Sequence, residues 1–260
     1  MMKTATASPF DYLRQSANLI LAPGMWLLSS IGFMMDGVRT ASDFSDMSAN
    51  WLVPSGPAFS IWFPIFLLCI AYGVLQALPR NRTRDVFRAT GGWSAAGFAC
   101  ICGWALITAF APDRTVQWAS ALIFIPAVAA LIIAMLKITA RKDSLSTAER
   151  LMSWLPLSLI AGWCSLAIFL NWTPIAYDVF AGGNANLTSS LLILAAALGL
   201  ITWALRRSGG NKAYVFPGIW GLAWLSGRHL SGSEIPVIGW AAVIGAGLLV
   251  ATTFLVKRKI

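Results

Sequence analysis

Eight apolar runs dominate this chain. A run of about 20 apolar residues crosses the hydrocarbon core of a bilayer as a single helix, so few other folds are open to it. The runs fall at roughly residues 17–35, 57–78, 92–111, 117–137, 154–173, 188–205, 213–228 and 236–256. They are continuous rather than alternating, which argues against a β-barrel. Only 11% of the 260 residues are charged, against about 25% in a soluble domain. The expected fold class is therefore an all-α polytopic membrane protein with about eight transmembrane helices.

The basic residues test that count. Lys3 and Arg14 precede the first run. Arg80, Arg82, Arg84 and Arg88 follow the second, and Lys137, Arg141, Lys142 and Arg150 follow the fourth. Arg206, Arg207 and Lys212 follow the sixth, and Lys257, Arg258 and Lys259 end the chain. Eight spans put these sixteen of the nineteen basic residues on one side, leaving Arg39, Arg114 and Arg228 on the other. By the positive-inside rule the split predicts a multi-pass inner-membrane protein with both termini cytoplasmic. Residues 1–16 then form a cytoplasmic segment. The net charge of +9 is an orientation signal, and no nucleic-acid partner is expected. The first run lacks a small-residue cleavage site and is interrupted by Pro23-Gly24, so it is expected to be retained.

Several kinds of chemistry find no support. Cys69, Cys100, Cys102 and Cys164 lie inside apolar runs without metal-ligand spacing, which reads as core packing. No Ser/His/Asp set, HExxH or phosphate loop is present. Ionisable residues at mid-depth mark transport pathways, and none is found: Asp36, Arg228, His229 and Glu234 all sit at predicted helix ends. His229, the single histidine, reads as a solvated loop residue. Two stripes of small residues, Ala95/Ala99/Gly103 in the third run and Ala241/Gly245 in the eighth, allow close helix contact. The first also offers a homodimer face.

What remains is aromatic and amide chemistry. Pro54-Ser-Gly-Pro-Ala-Phe-Ser-Ile-Trp62 follows the long polar loop 36–56, placing helix breakers beside Phe59, Trp62 and Phe63 at a membrane boundary. Trp104 lies within the third run and Trp163 within the fifth. Asn171 is eight residues after Trp163, about 80° away around a helix, so both can line one cavity.

These residues resemble the tryptophan-rich sensory protein / translocator protein family, the peripheral benzodiazepine-receptor group, and in particular its longer bacterial relatives. The carrying motifs are the Pro54–Trp62 stretch, Gly103-Trp104, and Pro156-Leu-Ser-Leu-Ile-Ala-Gly-Trp163 followed by Asn171. They come in the family's order, with a short turn at Pro112-Asp-Arg114. The resemblance covers residues 17–173 and implies a five-helix bundle with an interior pocket, closed by the 36–56 loop as a lid. Residues 174–260 add three further transmembrane helices and a basic C-terminus. The family binds porphyrins and other tetrapyrroles, sterols and synthetic aromatic ligands. Carried over by position, Phe59, Trp62, Trp104, Trp163 and Asn171 would bind the ligand. With no His or Cys placed as an axial iron ligand, a tetrapyrrole would be held by stacking and polar contacts. The expected function is a non-enzymatic membrane sensor, regulator or transporter of an apolar aromatic molecule, in contact with membrane lipid. The alternative is a structural or assembly subunit of a larger membrane complex.

Overall fold

The computed structural model describes residues 6–47, 50–232 and 235–256. Lys3, Lys257, Arg258 and Lys259 of the basic termini, and Glu234, lie outside the described residues. Eight helices of 16 residues or more make up the molecule, and no strand occurs among the described residues. They are α1 Pro9–Ser29, α2 Trp62–Ala77, α3 Asp85–Phe110, α4 Asp113–Thr139, α5 Leu155–Ala181, α6 Leu187–Arg207, α7 Lys212–Leu230 and α8 Pro236–Leu255. Each predicted run overlaps one of them, although the first, 17–35, extends past the end of α1 and the second, 57–78, begins before α2.

Six helical segments are long and apolar enough to cross a membrane: Gly56–Ala77, Asp85–Phe110, Asp113–Thr139, Thr147–Ala181, Leu187–Arg207 and Pro236–Leu255. The chain is thus a multi-pass membrane protein. The other two long helices, α1 and α7, are not apolar enough to count, and in α1 the cause is an inverted polarity. Its buried positions are Asp11, Arg14, Gln15, Asn18, Ala22 and Met25, while Leu13, Ile20 and Leu27 are exposed. In lipid a helix turns its polar face inward, because only the protein interior supplies partners.

Those partners seal one end of the bundle. Arg14 is 2% exposed and donates to Gln76 Oε1 at 2.8 Å and to the Arg82 carbonyl at 2.7 Å. Gln15 and Gln76 exchange side-chain-to-backbone bonds of 2.7 and 2.9 Å. Asn18 donates to the Gly91 carbonyl and accepts from Ser94, which meets the Tyr72 hydroxyl at 3.0 Å. Asp11 takes a two-pronged bond from Arg88 at 2.6 and 2.9 Å. Arg14, expected in the segment 1–16 before the first span, is thus a buried residue of α1. The helix starts at Pro9, eight residues before the predicted run, because Ser8 and Asp11 form a reciprocal cap that satisfies backbone N–H groups at the helix start. It also continues through Pro23.

Helix contacts define a ring. α1 packs on α2 and α3, α4 on α3 and α5, and α2 closes the circuit against α5. The ring order is therefore α1-α2-α5-α4-α3. On the far side of α5 stand α6 and α7, with α8 against both. α7 seats closely because Gly162 of α5 faces the Tyr214 carbonyl and Gly221 of α7 faces Leu166. The small-residue stripes divide: Gly245 packs on Leu198 of α6, and Gly103 on Ile123 of α4, whereas Ala99 is exposed. α5 runs to Ala181, through Pro174, and stops at Gly182 with φ of +60°. The predicted loop 174–187 is correspondingly short.

Candidate functional site

The site lies at the end of the ring opposite the Arg14 seal, under the segment joining α1 to α2. That segment contains a six-residue helix, Ala41–Asp46, and a tight turn, Gly56–Ile61, that leads directly into α2. The short helix has its own cap: Thr40 Oγ1 accepts from the Asp43 N–H while the Asp43 carboxylate accepts from the Thr40 N–H and hydroxyl. These bonds hold the Asp43 carboxyl below the usual carboxylate range. Arg39 ties the segment to the α3–α4 turn, donating to the Thr108 carbonyl at 3.0 Å and also to the Ala111 carbonyl and Asp113.

Beneath it is a cavity of about 60 Å³, room for a few waters. Its walls include Phe44, Phe59, Trp62, Trp104, Phe124 and Trp163. Trp163 meets Phe59 and Trp62 edge-on, both at 6.0 Å between centroids. Trp104 meets Phe44 at 6.4 Å and Phe124 at 5.5 Å in the same manner. Trp62 stacks on Phe66 at 4.9 Å. Polar groups are few: Ser45, Asn50, Gln117 and Asn171. Asn171 is engaged, accepting from Trp104 Nε1 at 3.0 Å and donating to the Ala167 carbonyl at 2.9 Å.

A second, larger space of about 570 Å³ adjoins it as a vestibule between α1 and α2. Ala41, Ser45, Val53, Phe59, Trp62 and Trp104 line both, so these side chains form the partition. Trp26 and Phe63, half exposed, meet edge-on at 5.8 Å and belong to the vestibule wall. Ligand pockets usually run from about 300 to 1,000 Å³. The vestibule is in that range and the inner cavity is far below it.

All five residues singled out in the sequence, Phe59, Trp62, Trp104, Trp163 and Asn171, line the inner cavity, with the 41–46 helix above them. The family described as TSPO-like protein matches residues 16–255. The chain belongs to that family. The match extends past the 17–173 core of the resemblance to α6, α7 and α8. No curated protein and no solved structure matches it.

In this TSPO-like protein the additional helices reach the site. α7 holds the lid segment through four side-chain bonds. Trp220 Nε1 donates to the Ala58 carbonyl at 2.9 Å, and Ser55 donates to the Trp224 carbonyl at 3.1 Å. Arg228 donates to the Val53 carbonyl at 2.6 Å, and His229 Nε2 meets the Trp51 carbonyl at 2.8 Å. His229 is 3% exposed, which corrects its reading as a solvated loop residue. Asn50, buried, donates to the Leu170 carbonyl at 3.1 Å.

Three buried side-chain polar atoms have no hydrogen-bond partner among the described residues: Arg14 Nε, Ser29 Oγ and Trp163 Nε1. Trp163 lines the inner cavity and Ser29 the vestibule. An unmade bond on a buried donor costs about 1–3 kcal/mol, so such atoms are uncommon without a role. No cluster of His, Cys, Asp and Glu suited to a metal occurs among the described residues. The sequence reading missed Phe44 and Phe124. Phe44 sits in a polar loop, and Phe124 carries no spacing signal that separates it from ordinary core.

Proposed function

We propose that this protein is a non-enzymatic binding protein, a sensor or transporter, for a flat, apolar aromatic molecule such as a tetrapyrrole. It would cross the inner membrane eight times with both termini cytoplasmic, the basic connections supplying the orientation signal. The carrying observation is Trp163 Nε1, a buried donor with no partner among the described residues, on a side chain that lines an aromatic cavity. A ligand bearing one acceptor on a flat ring would satisfy that donor and stack on Phe59 and Trp62. Because the inner cavity is small, such a ligand would occupy the vestibule and push Phe59 or the 41–46 helix aside to reach Trp163. The aromatic walls suit a macrocycle held without a metal ligand.

Titrating purified protein with protoporphyrin, and following tryptophan fluorescence, tests this reading. Wild-type protein should show saturable quenching. The Trp62→Ala, Trp163→Ala double variant should lose at least about tenfold in affinity, the scale set by removing two large aromatic contacts. Equal affinity in the folded double variant would sink the pocket.

A further inference from the structure

Resting on the reading of the two compartments as a ligand site, we infer that the ligand is an amphipathic acid whose anionic group is held by Arg228 of α7 at the vestibule rim. The chemistry of the walls carries this. Among the described residues no charged group lines the inner cavity, and two, Arg228 and Asp46, line the vestibule. Arg228 is placed by a helix seated on α5 and by its bond to the Val53 carbonyl at 2.6 Å. That bond uses one of the five N–H donors of the guanidinium. The remaining donors suit a carboxylate or phosphate, which accepts two at once.

The neighbouring groups fit the same ligand. Ser29, Ser55 and Ser60 add hydroxyls to the vestibule, and Ser29 Oγ has no partner among the described residues. Trp26, Phe63 and Phe66 supply an apolar wall for the body of the molecule. Asp46 is the opposing charge. It is carried by the 41–46 helix rather than by the α5–α7 frame, so the two charges that line this space sit on different elements. A neutral ring system would leave Arg228 unused, and a cationic one would meet it unfavourably.

The experiment compares protoporphyrin, a dicarboxylic acid, with its dimethyl ester in full-length protein held in discs of zwitterionic lipid. Wild type should bind the acid up to about fivefold tighter than the ester, the range for an ion pair at a partly exposed rim. Arg228→Gln should abolish that preference by weakening acid binding more than ester binding. Asp46→Asn should strengthen acid binding. Trp220→Phe, which removes a lid bond without a charge, should leave the acid-to-ester ratio at its wild-type value. Equal loss of both probes in Arg228→Gln would reduce Arg228 to a lid tether and overturn the inference. So would an unchanged ratio in that variant. If the preference disappears in wild type when the discs contain phosphatidylglycerol, the rim takes a lipid phosphate instead, which also overturns it. Ester binding that persists in any of these cases leaves the pocket itself standing. Failure of both probes to bind wild type removes the pocket and the inference together.

Discussion

At the scale of single residues, the decisive feature is how few polar atoms the site contains and how they are used. Asn171 closes a bond between α3 and α5 by accepting from Trp104 Nε1, so in this state it shapes the cavity wall. Trp163 Nε1 has no such partner among the described residues. Two tryptophans that look alike in the sequence therefore have different roles: one is structural and the other is available. The bond between Trp104 and Asn171 can be isolated by a double-mutant cycle of Trp104→Phe and Asn171→Leu, read by denaturant unfolding in detergent. Asn171→Leu leaves a buried indole N–H unpaired and should cost about 1–3 kcal/mol. The double variant should recover part of that cost, with a coupling of about 0.5–1.5 kcal/mol, as for other bonds between membrane helices. A coupling near zero would mean that the bond does not contribute to stability. The Trp-x7-Asn spacing made this neighbourhood legible in the sequence. The difference between the two indoles was not legible, because it depends on what α3 brings opposite α5.

At the scale of elements, the segment between α1 and α2 is hydrogen-bonded in place over the cavity rather than a loose loop. Its local cap was readable: Thr40 followed three residues later by Asp43 is the pattern that satisfies a helix start reciprocally. Its clamps were not, since Arg39 reaches α3 and α4 and residues 51–58 bond to α7, more than 160 residues away in the chain. Sequence periodicity carries no information about such pairings. The cap also predicts a pH response. Asp43 has its carboxyl held below the ordinary value by the Thr40 N–H and hydroxyl, so the charged form is favoured in the folded lid. The stabilisation is present above the unfolded aspartate value of about 3.9 and is lost as pH falls through the lower folded value. Hydrogen exchange of the amides at 43 and 44, corrected for the intrinsic pH dependence, should show protection held at pH 5 and lost in stronger acid. Thr40→Ala should lower that protection already at pH 5, and protection that stays flat down to the acid limit would show that the cap does not order the lid.

At the scale of the whole molecule, the five-helix ring and the three further helices are one machine, because the lid over the ring is held by a helix outside it. The number and kind of helices were legible from the apolar runs, with α1 and α7 the exceptions in strength. Arg14 and Gln15 made the first run look as if it began later than it does, yet they, like Asn18, are buried against α2 and α3. The dependence of the lid on α7 gives a test at a distance. A side chain at Gly162 would collide with the Tyr214 carbonyl, so Gly162→Val should push α7 off α5 and cost about 1–3 kcal/mol or more by overpacking. The same change should lower hydrogen-exchange protection of residues 51–61, although none of them is altered and Gly162 does not touch them. Gly199→Ala is the control: nothing lies within 4 Å of a side chain there, and replacing an exposed mid-helix glycine should stabilise by up to about 1 kcal/mol. If Gly162→Val destabilises the protein but leaves the 51–61 amides protected, the lid is held by the ring alone, through Arg39 and Asn50. If protection falls with α7 displaced, the additional helices act as the frame that sets when the site opens.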